Sequence, residues 1–247
     1  MHMENMLTNN TAHLTGVIAT EFEFSHQVYG EGFYTCLVEV TRLSAANDIL
    51  PITVSERLIN METLAVGTLV AITGQVRSYN SYNEDSKRTK LMLTIFVREI
   101  EIYTALSDEG QARGPKAETE SDFSQYQAER GVKGVPGPHN QSLNDIYLNG
   151  YICKQPIYRT TPFGREITDL LVAVNRSYNK SDYIPCIAWG RNARFAGKLS
   201  VSDNIRIWGR MQSRIYQKRL ENGELEERTA YEISISKIET ANSAESI

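Results

Sequence analysis

From Arg206 to Tyr216 the chain sets cations and rings at alternate positions. Arg206, Trp208, Arg210, Gln212, Arg214 and Tyr216 fall on one parity; Ile205, Ile207, Met211 and Ile215 fall on the other. A period of two is the signature of a strand, so the apolar set is expected in a core and the Arg/aromatic set on the opposite face. Such a face suits unpaired nucleic acid: bases stack on aromatic planes at about 1–3 kcal/mol each while cations follow the phosphates. A stretch upstream repeats the arrangement, with Ile184, Cys186 and Ala188 on one side and Tyr183, Pro185, Ile187 and Trp189 on the other. Solvated arginines and barrel-end aromatics explain one such strand equally well. Two neighbouring strands with the same pattern favour a binding face.

No catalytic, metal-ligating or cofactor-binding constellation is legible. His2, His13, His26 and His139 are scattered, and Cys36, Cys153 and Cys186 lie far apart without a Cys-x-x-Cys pair. Phosphate-loop, His-Glu-x-x-His and Gly-x-Ser-x-Gly motifs are absent. The acidic pairs Glu84-Asp85 and Glu226-Glu227 fall in expected hairpin loops, where solvation explains them. Sparse, odd cysteine usage fits reduced thiols and a cytoplasmic location. The sequence has no apolar run of about 18 residues and no basic-then-apolar leader, so no membrane association is expected.

The elements that must position the two faces come twice. Leu37-Val38-Glu39-Val40-Thr41-Arg42 returns as Leu171-Val172-Ala173-Val174-Asn175-Arg176, Asp48-Ile49-Leu50-Pro51 as Asp182-Tyr183-Ile184-Pro185, and residues 64–74 as 199–209. The repeat predicts two small domains, 12–104 and 144–240, each of roughly 95 residues and able to bury a modest core. Between them, 105–143 is rich in Gly, Pro, Ser and charge and is expected to be a flexible linker. A short tail follows, 241–247. The overall charge is −4, but the first domain holds 7 basic and 11 acidic residues and the second 15 and 11. The second is therefore locally basic, and partners must be argued domain by domain.

Within each copy the order reads strand, strand, strand, short helix, strand, hairpin, strand. The helix is expected at Glu56–Leu64, with Ser55 as its N-cap, and at Asn192–Leu199. Alternation at Leu91–Val97 and Tyr231–Ser236 marks final strands, and Asn222-Gly223 marks the hairpin turn before the second of these. Five strands with one helix between the third and fourth is the plan of an OB-fold barrel. The expected fold is therefore all-β, two five-stranded OB-fold barrels in tandem. In the first copy the inward Leu50, Ile52, Val54, Val70, Ile72 and Val76 keep their character. Ile49, Ser55, Ala71, Thr73, Gln75 and Ser44 stand where the second copy has Tyr183, Trp189, Arg206, Trp208, Arg210 and Tyr178. The barrel is kept and the ligand face is lost; Tyr79–Tyr82 with Lys87, Arg88 and Lys90 reads equally as a compensating grip or a solvated hairpin.

The second copy resembles the bacterial single-stranded DNA-binding protein family. The resemblance runs through Asn149-Gly150, Pro156–Thr160, Gly164, Ala173–Arg176, Ile184-Pro185, Ala188–Gly190 and Gly209–Tyr216, in family order across about 95 residues. It implies sequence-tolerant coating of single-stranded DNA, in replication, recombination or repair, by multimers presenting four OB domains. For this tandem chain that means a homodimer. It puts base stacking on Tyr178, Tyr183, Trp189 and Tyr216, and cationic contacts on Arg159, Arg176, Arg191 and Arg214. Trp208 and Arg210 join them from the alternation. The ending Ala241–Ile247 departs from the family's acidic tip closed by Pro-Phe, which puts recruitment of repair enzymes through that end in doubt. RNA is an alternative ligand, because stacking platforms accept both. The rival reading is an OB-fold protein-interaction accessory with weak DNA binding or none.

Overall fold

The computed structural model describes residues 9–42, 44–59, 64–83, 88–103, 143–219 and 223–241. The reading of 105–143 as a flexible linker falls, but for residue 143, outside these, as do the tail beyond 241 and the position of Asn222. The first unit comprises β1 (Asn10–Ile18), β2 (Glu23–Val28), β3 (Glu31–Thr41), β4 (Asn47–Ser55), β5 (Leu69–Asn83) and β6 (Arg88–Ile102). The second comprises β7 (Asn144–Ile152), β8 (Ile157–Thr160), β9 (Glu166–Asn175), β10 (Ser181–Trp189), helix α1 (Arg191–Ala196), β11 (Asn204–Arg219) and β12 (Leu225–Thr240).

Five strands in each unit close into a ring. β1 pairs with β3 and β5, β3 with β4, β4 with β6 in parallel, and β6 with β5; the second ring runs β7-β9-β10-β12-β11 and back to β7. Closure removes the open edges that would otherwise template aggregation. The sixth strand of each unit, β2 or β8, is a short exposed addition to β3 or β9 that the five-strand plan did not include. The inward side chains are those the alternation selects. Leu50, Ile52, Val54, Val70 and Val76 line the first core at no exposure, and Ile184, Ile205, Ile207, Met211 and Ile233 the second.

Between the third and fourth ring strands the second unit carries helix α1. Ala193 and Ala196 are buried and let α1 lie close on its barrel, where the Thr168 hydroxyl donates to the Ala193 carbonyl at 2.8 Å. In the first unit a 3-10 turn forms at Glu56–Leu58, capped by Ser55 Oγ accepting from the Arg57 N–H, and Ile59 is extended; residues 60–63 of the expected helix lie outside the described residues. No residue of that turn is buried.

Gly74 and Gly209 sit where β5 and β11 slip register against β6 and β12. A Cβ on Gly209 would lie 2.4 Å from the Ser234 carbonyl oxygen, and one on Gly74 would lie 2.4 Å from that of Phe96. Backbone cannot yield as a side chain does, so Gly209→Ala is expected to destabilise by about 1–3 kcal/mol. A shift in the urea midpoint without a change in slope would register it.

The two barrels meet about a pseudo-dyad. β1 and β7 pair antiparallel with Ala12 opposite Ile146, its own repeat equivalent. Asn10 bonds both backbone groups of Val76 (2.7 and 2.9 Å), and Asn144 both those of Met211 (2.8 and 2.9 Å). Asp48 accepts from the Ser213 N–H and Asp182 from the Ser78 N–H, each at 2.8 Å. Ser213 Oγ in turn accepts from the Ile49 N–H and Ser78 Oγ from the Tyr183 N–H. Both carboxylates are fully buried, and each also holds an arginine of its own unit: Arg42 on Asp48, Arg176 on Asp182. The repeated Asp and Arg of the sequence are thus the lock between the units.

Candidate nucleic-acid interface

An open groove of about 480 Å³ lies on the outer face of the second barrel where it meets the first. Trp189, Arg210, Arg214, Gln212, Ser234 and Arg165 line it from the second barrel, and Arg42 from the first. Strand pleat explains the set: Trp189 ends β10 outward, Arg210 and Gln212 are outward on β11, and Ser234 faces outward between them on β12. The hairpin tip between β8 and β9 brings Arg165. The same tip carries Phe163, 92% exposed.

The electrostatics favour an anion. Four guanidinium groups share the groove. The carboxylates beside them are engaged: Asp48 by Arg42 and the Ser213 N–H, Glu232 by Gln212 Nε2 at 2.8 Å and Arg214 Nε at 3.7 Å. Burial, and after it the charge of Arg42, pushes the Arg210 guanidinium below its ordinary pKa. A cation crowded by a like charge gains from an incoming phosphate. Trp189 is 38% exposed, with ring surface left for a base. Arg214 lies over the Tyr216 ring at 5.6 Å, a cation–π pair at the groove's far end.

The structure brings together Trp189, Arg210, Arg214 and Tyr216 of the residues selected from sequence. Arg191 is exposed at the start of α1, two residues beyond Trp189. The others lie elsewhere. Trp208 packs against Tyr147 at 5.3 Å, with the Lys237 ammonium over its ring at 4.5 Å, and is not a groove residue. Its parity is right, but it precedes the register slip at Gly209. Arg159 pairs with Asp169 at 2.9 Å on β8, and Arg176 is committed to Asp182 at the junction. Tyr178 protrudes at 94% exposure from a turn where its φ is +62°, and Tyr183 is half exposed beside the junction. Ile215, expected in the core, is 65% exposed, because β11 and β12 run past the end of the barrel as an arm and alternation no longer means burial there.

Arg42 and Arg165 enter the groove unannounced, while Gln212 was on the outward face that alternation marks. The equivalence of Arg42 with Arg176 was visible in the repeat, but nothing in one dimension shows that Arg42 reaches across to the other barrel. In the first barrel Ser55 and Glu31 occupy the places of Trp189 and Arg165, and the Ser55 hydroxyl donates to Glu31. Arg57 also lies there, 3.2 Å from Glu31. That corner is therefore neutralised internally. Among the described residues no group of three or more His, Cys, Asp or Glu side chains converges as a metal site, and no helix is long and apolar enough to cross a membrane.

A closed five-stranded barrel with a helix before its fourth ring strand is the plan of an OB fold, and in the second unit it carries a cationic, aromatic outer face. Residues 143–241, the second barrel, match the Single-strand binding protein family. Single-stranded DNA-binding protein 1 of Staphylococcus aureus is 35% identical over 82 residues, 30% of this chain and 49% of that protein. Single-stranded DNA-binding protein A of Bacillus subtilis is 33% identical over 82 residues, 30% of this chain and 48% of that protein. The match thus spans about half the length of these curated relatives. The fold of both barrels together is similar to that of the single-stranded DNA binding protein from Thermus aquaticus, with TM-score 0.61, 16% identity and coverage of 94% of this chain and 92% of that one.

Proposed function

We propose that the chain is a non-catalytic, sequence-tolerant binder of single-stranded DNA, acting in the cytoplasm in replication, recombination or repair. The observation that carries the reading is the groove in which a half-exposed tryptophan faces four guanidinium groups. A base stacks on Trp189 while Arg42, Arg165, Arg210 and Arg214 take the flanking phosphates. Ring stacking and phosphate contacts carry no base identity, so the reading makes binding tolerant of sequence. The names of the relatives support single-stranded DNA as the ligand. The first barrel serves as the scaffold across the dyad and lends Arg42 to the wall. Two chains joining into a dimer give four barrels. The continuous outer face of β5, β1, β7 and β11, with Tyr147 and Trp208 on it, supports that assembly.

Each phosphate contact releases condensed counterions, so affinity falls with salt. Arg214→Ala is expected to weaken binding and to reduce the salt slope of log K by about 0.7, the amount for one contact on a single strand. Anisotropy titrations of a labelled oligo-thymidine at several salt concentrations read this. An unchanged slope would place Arg214 off the DNA path.

A further inference from the structure

Strand β2 of the first barrel is an open edge. Its inner side pairs with β3, and among the described residues no strand pairs with its outer side. The β2–β3 hairpin closes through Tyr29 (φ +50°) and Gly30 (φ +84°), a two-residue loop with both residues left-handed. Val28 and Glu31 flank the loop as a register pair, and Gln27 stands opposite Gly32. Such a loop is closed by a hydrogen-bonded pair, so alternation along the ladder turns the N–H and C=O of Gln27 outward. An edge of this kind is a template for an added strand.

The side chains say which strand. From Met1 to Thr41 the chain holds no Lys or Arg. Glu21 and Glu23 are exposed, and among the described residues neither is in an ion pair. Glu56 adds a third carboxylate, its Oε2 lying 2.6 Å from where a Cβ on Gly32 would stand. Phe24, Val28 and Tyr29 are exposed beside these charges, and Phe24 is held edge-on against Tyr34 at 5.7 Å. The bulge between Phe24 and His26 and the charge on Glu23 are devices that blunt an edge against self-pairing. Three large apolar side chains left open on the same edge are not. The counterpart β8 differs: it has four residues against the six of β2, and Lys154, Arg159 and Arg165 lie along it and its hairpin. We infer that β2 is a docking edge for an extended, basic segment of a partner protein, which adds beside it as a further strand. Backbone groups supply the pairing. The partner's Lys or Arg side chains meet Glu21, Glu23 and Glu56, and its apolar side chains cover Phe24 and Val28. The same carboxylates repel a nucleic-acid strand and the β2 edge of another copy.

The inference stands apart from the Trp189 groove, and the test keeps the two separate. A labelled peptide of about eight residues alternating Lys and Val, long enough to span β2, is titrated into the full chain and followed by anisotropy, with a Glu/Val peptide as control. The Lys/Val peptide is expected to bind and the control is not. Gln27→Pro removes the outward N–H, a change that an edge strand tolerates, and is expected to weaken binding about tenfold. Glu21→Gln/Glu23→Gln is expected to weaken it as well and to flatten its salt dependence. Both variants are expected to bind oligo-thymidine as the wild type does, which is also the control for folding. In the wild type the Gln27 amide is expected to gain protection from hydrogen exchange when the peptide binds, a reading of the edge that needs no substitution. Peptide binding that leaves Gln27 exchange unchanged overturns the inference, and so does equal binding of both peptides or no binding of the Lys/Val peptide.

Discussion

Asp182→Ala is expected to destabilise the protein by about 3 kcal/mol, the low end for breaking a buried ion pair. The carboxylate is fully buried and accepts from Arg77, Arg176 and the Ser78 N–H. Alanine leaves two guanidinium groups facing each other and a backbone donor without its partner. The arginines are 21% and 34% exposed and recover some hydration, which keeps the loss at the low end. Asp48→Ala is expected to act similarly through Arg42 and Ser213. Urea unfolding followed by circular dichroism measures both. A loss below about 1 kcal/mol, the scale of a surface ion pair, would mean that the barrels are held by the β1–β7 pairing alone.

The other large effect concerns the ligand. Trp189→Ala is expected to weaken binding of a single strand by about 1–3 kcal/mol, roughly five- to 150-fold. Trp208→Phe is expected to change it little, because that ring is already packed between Tyr147 and Lys237. Anisotropy of a labelled oligonucleotide measures both variants, with unfolding curves as the control for folding. The reverse ranking would move the stacking platform to the β7–β11 face and remove the groove from the account.

The fold was legible because two levels of pattern agreed. Alternation at Ile184–Ala188 and Ile205–Met211 gave the inward face, and the repeat gave the same face again in the first barrel. Legibility failed where alternation stops implying burial. Ile215 keeps the apolar parity of β11 but lies beyond the barrel. The helix expected from Glu56 starts as a 3-10 turn at Glu56–Leu58 and the chain is extended at Ile59, where that segment lacks the small residues that let α1 settle on its barrel.

The site was half legible for a related reason. Trp189, Arg210 and Arg214 are outward residues of adjacent strands, and periodicity finds such residues. Trp208 shares their parity, yet its ring is taken up by neighbours from β7 and β12 that no local pattern reveals. Arg42 and Arg77 do their work across the dyad, at a place that exists only once the two barrels dock. Comparing the copies position by position sets Gln75 against Arg210, but it cannot show that Arg77 reaches Asp182 of the other barrel.

The most direct test of the central claim uses the Trp208→Phe protein, in which Trp189 is the sole tryptophan, titrated with oligo-thymidine at low and moderate salt and with duplex DNA alongside. Saturable quenching by the single strand, weaker at the higher salt and absent with duplex, is the predicted result. An oligonucleotide that binds by anisotropy yet leaves Trp189 emission unchanged would contradict the stacking role of the groove. No binding at either salt would contradict the assignment of single-stranded DNA itself.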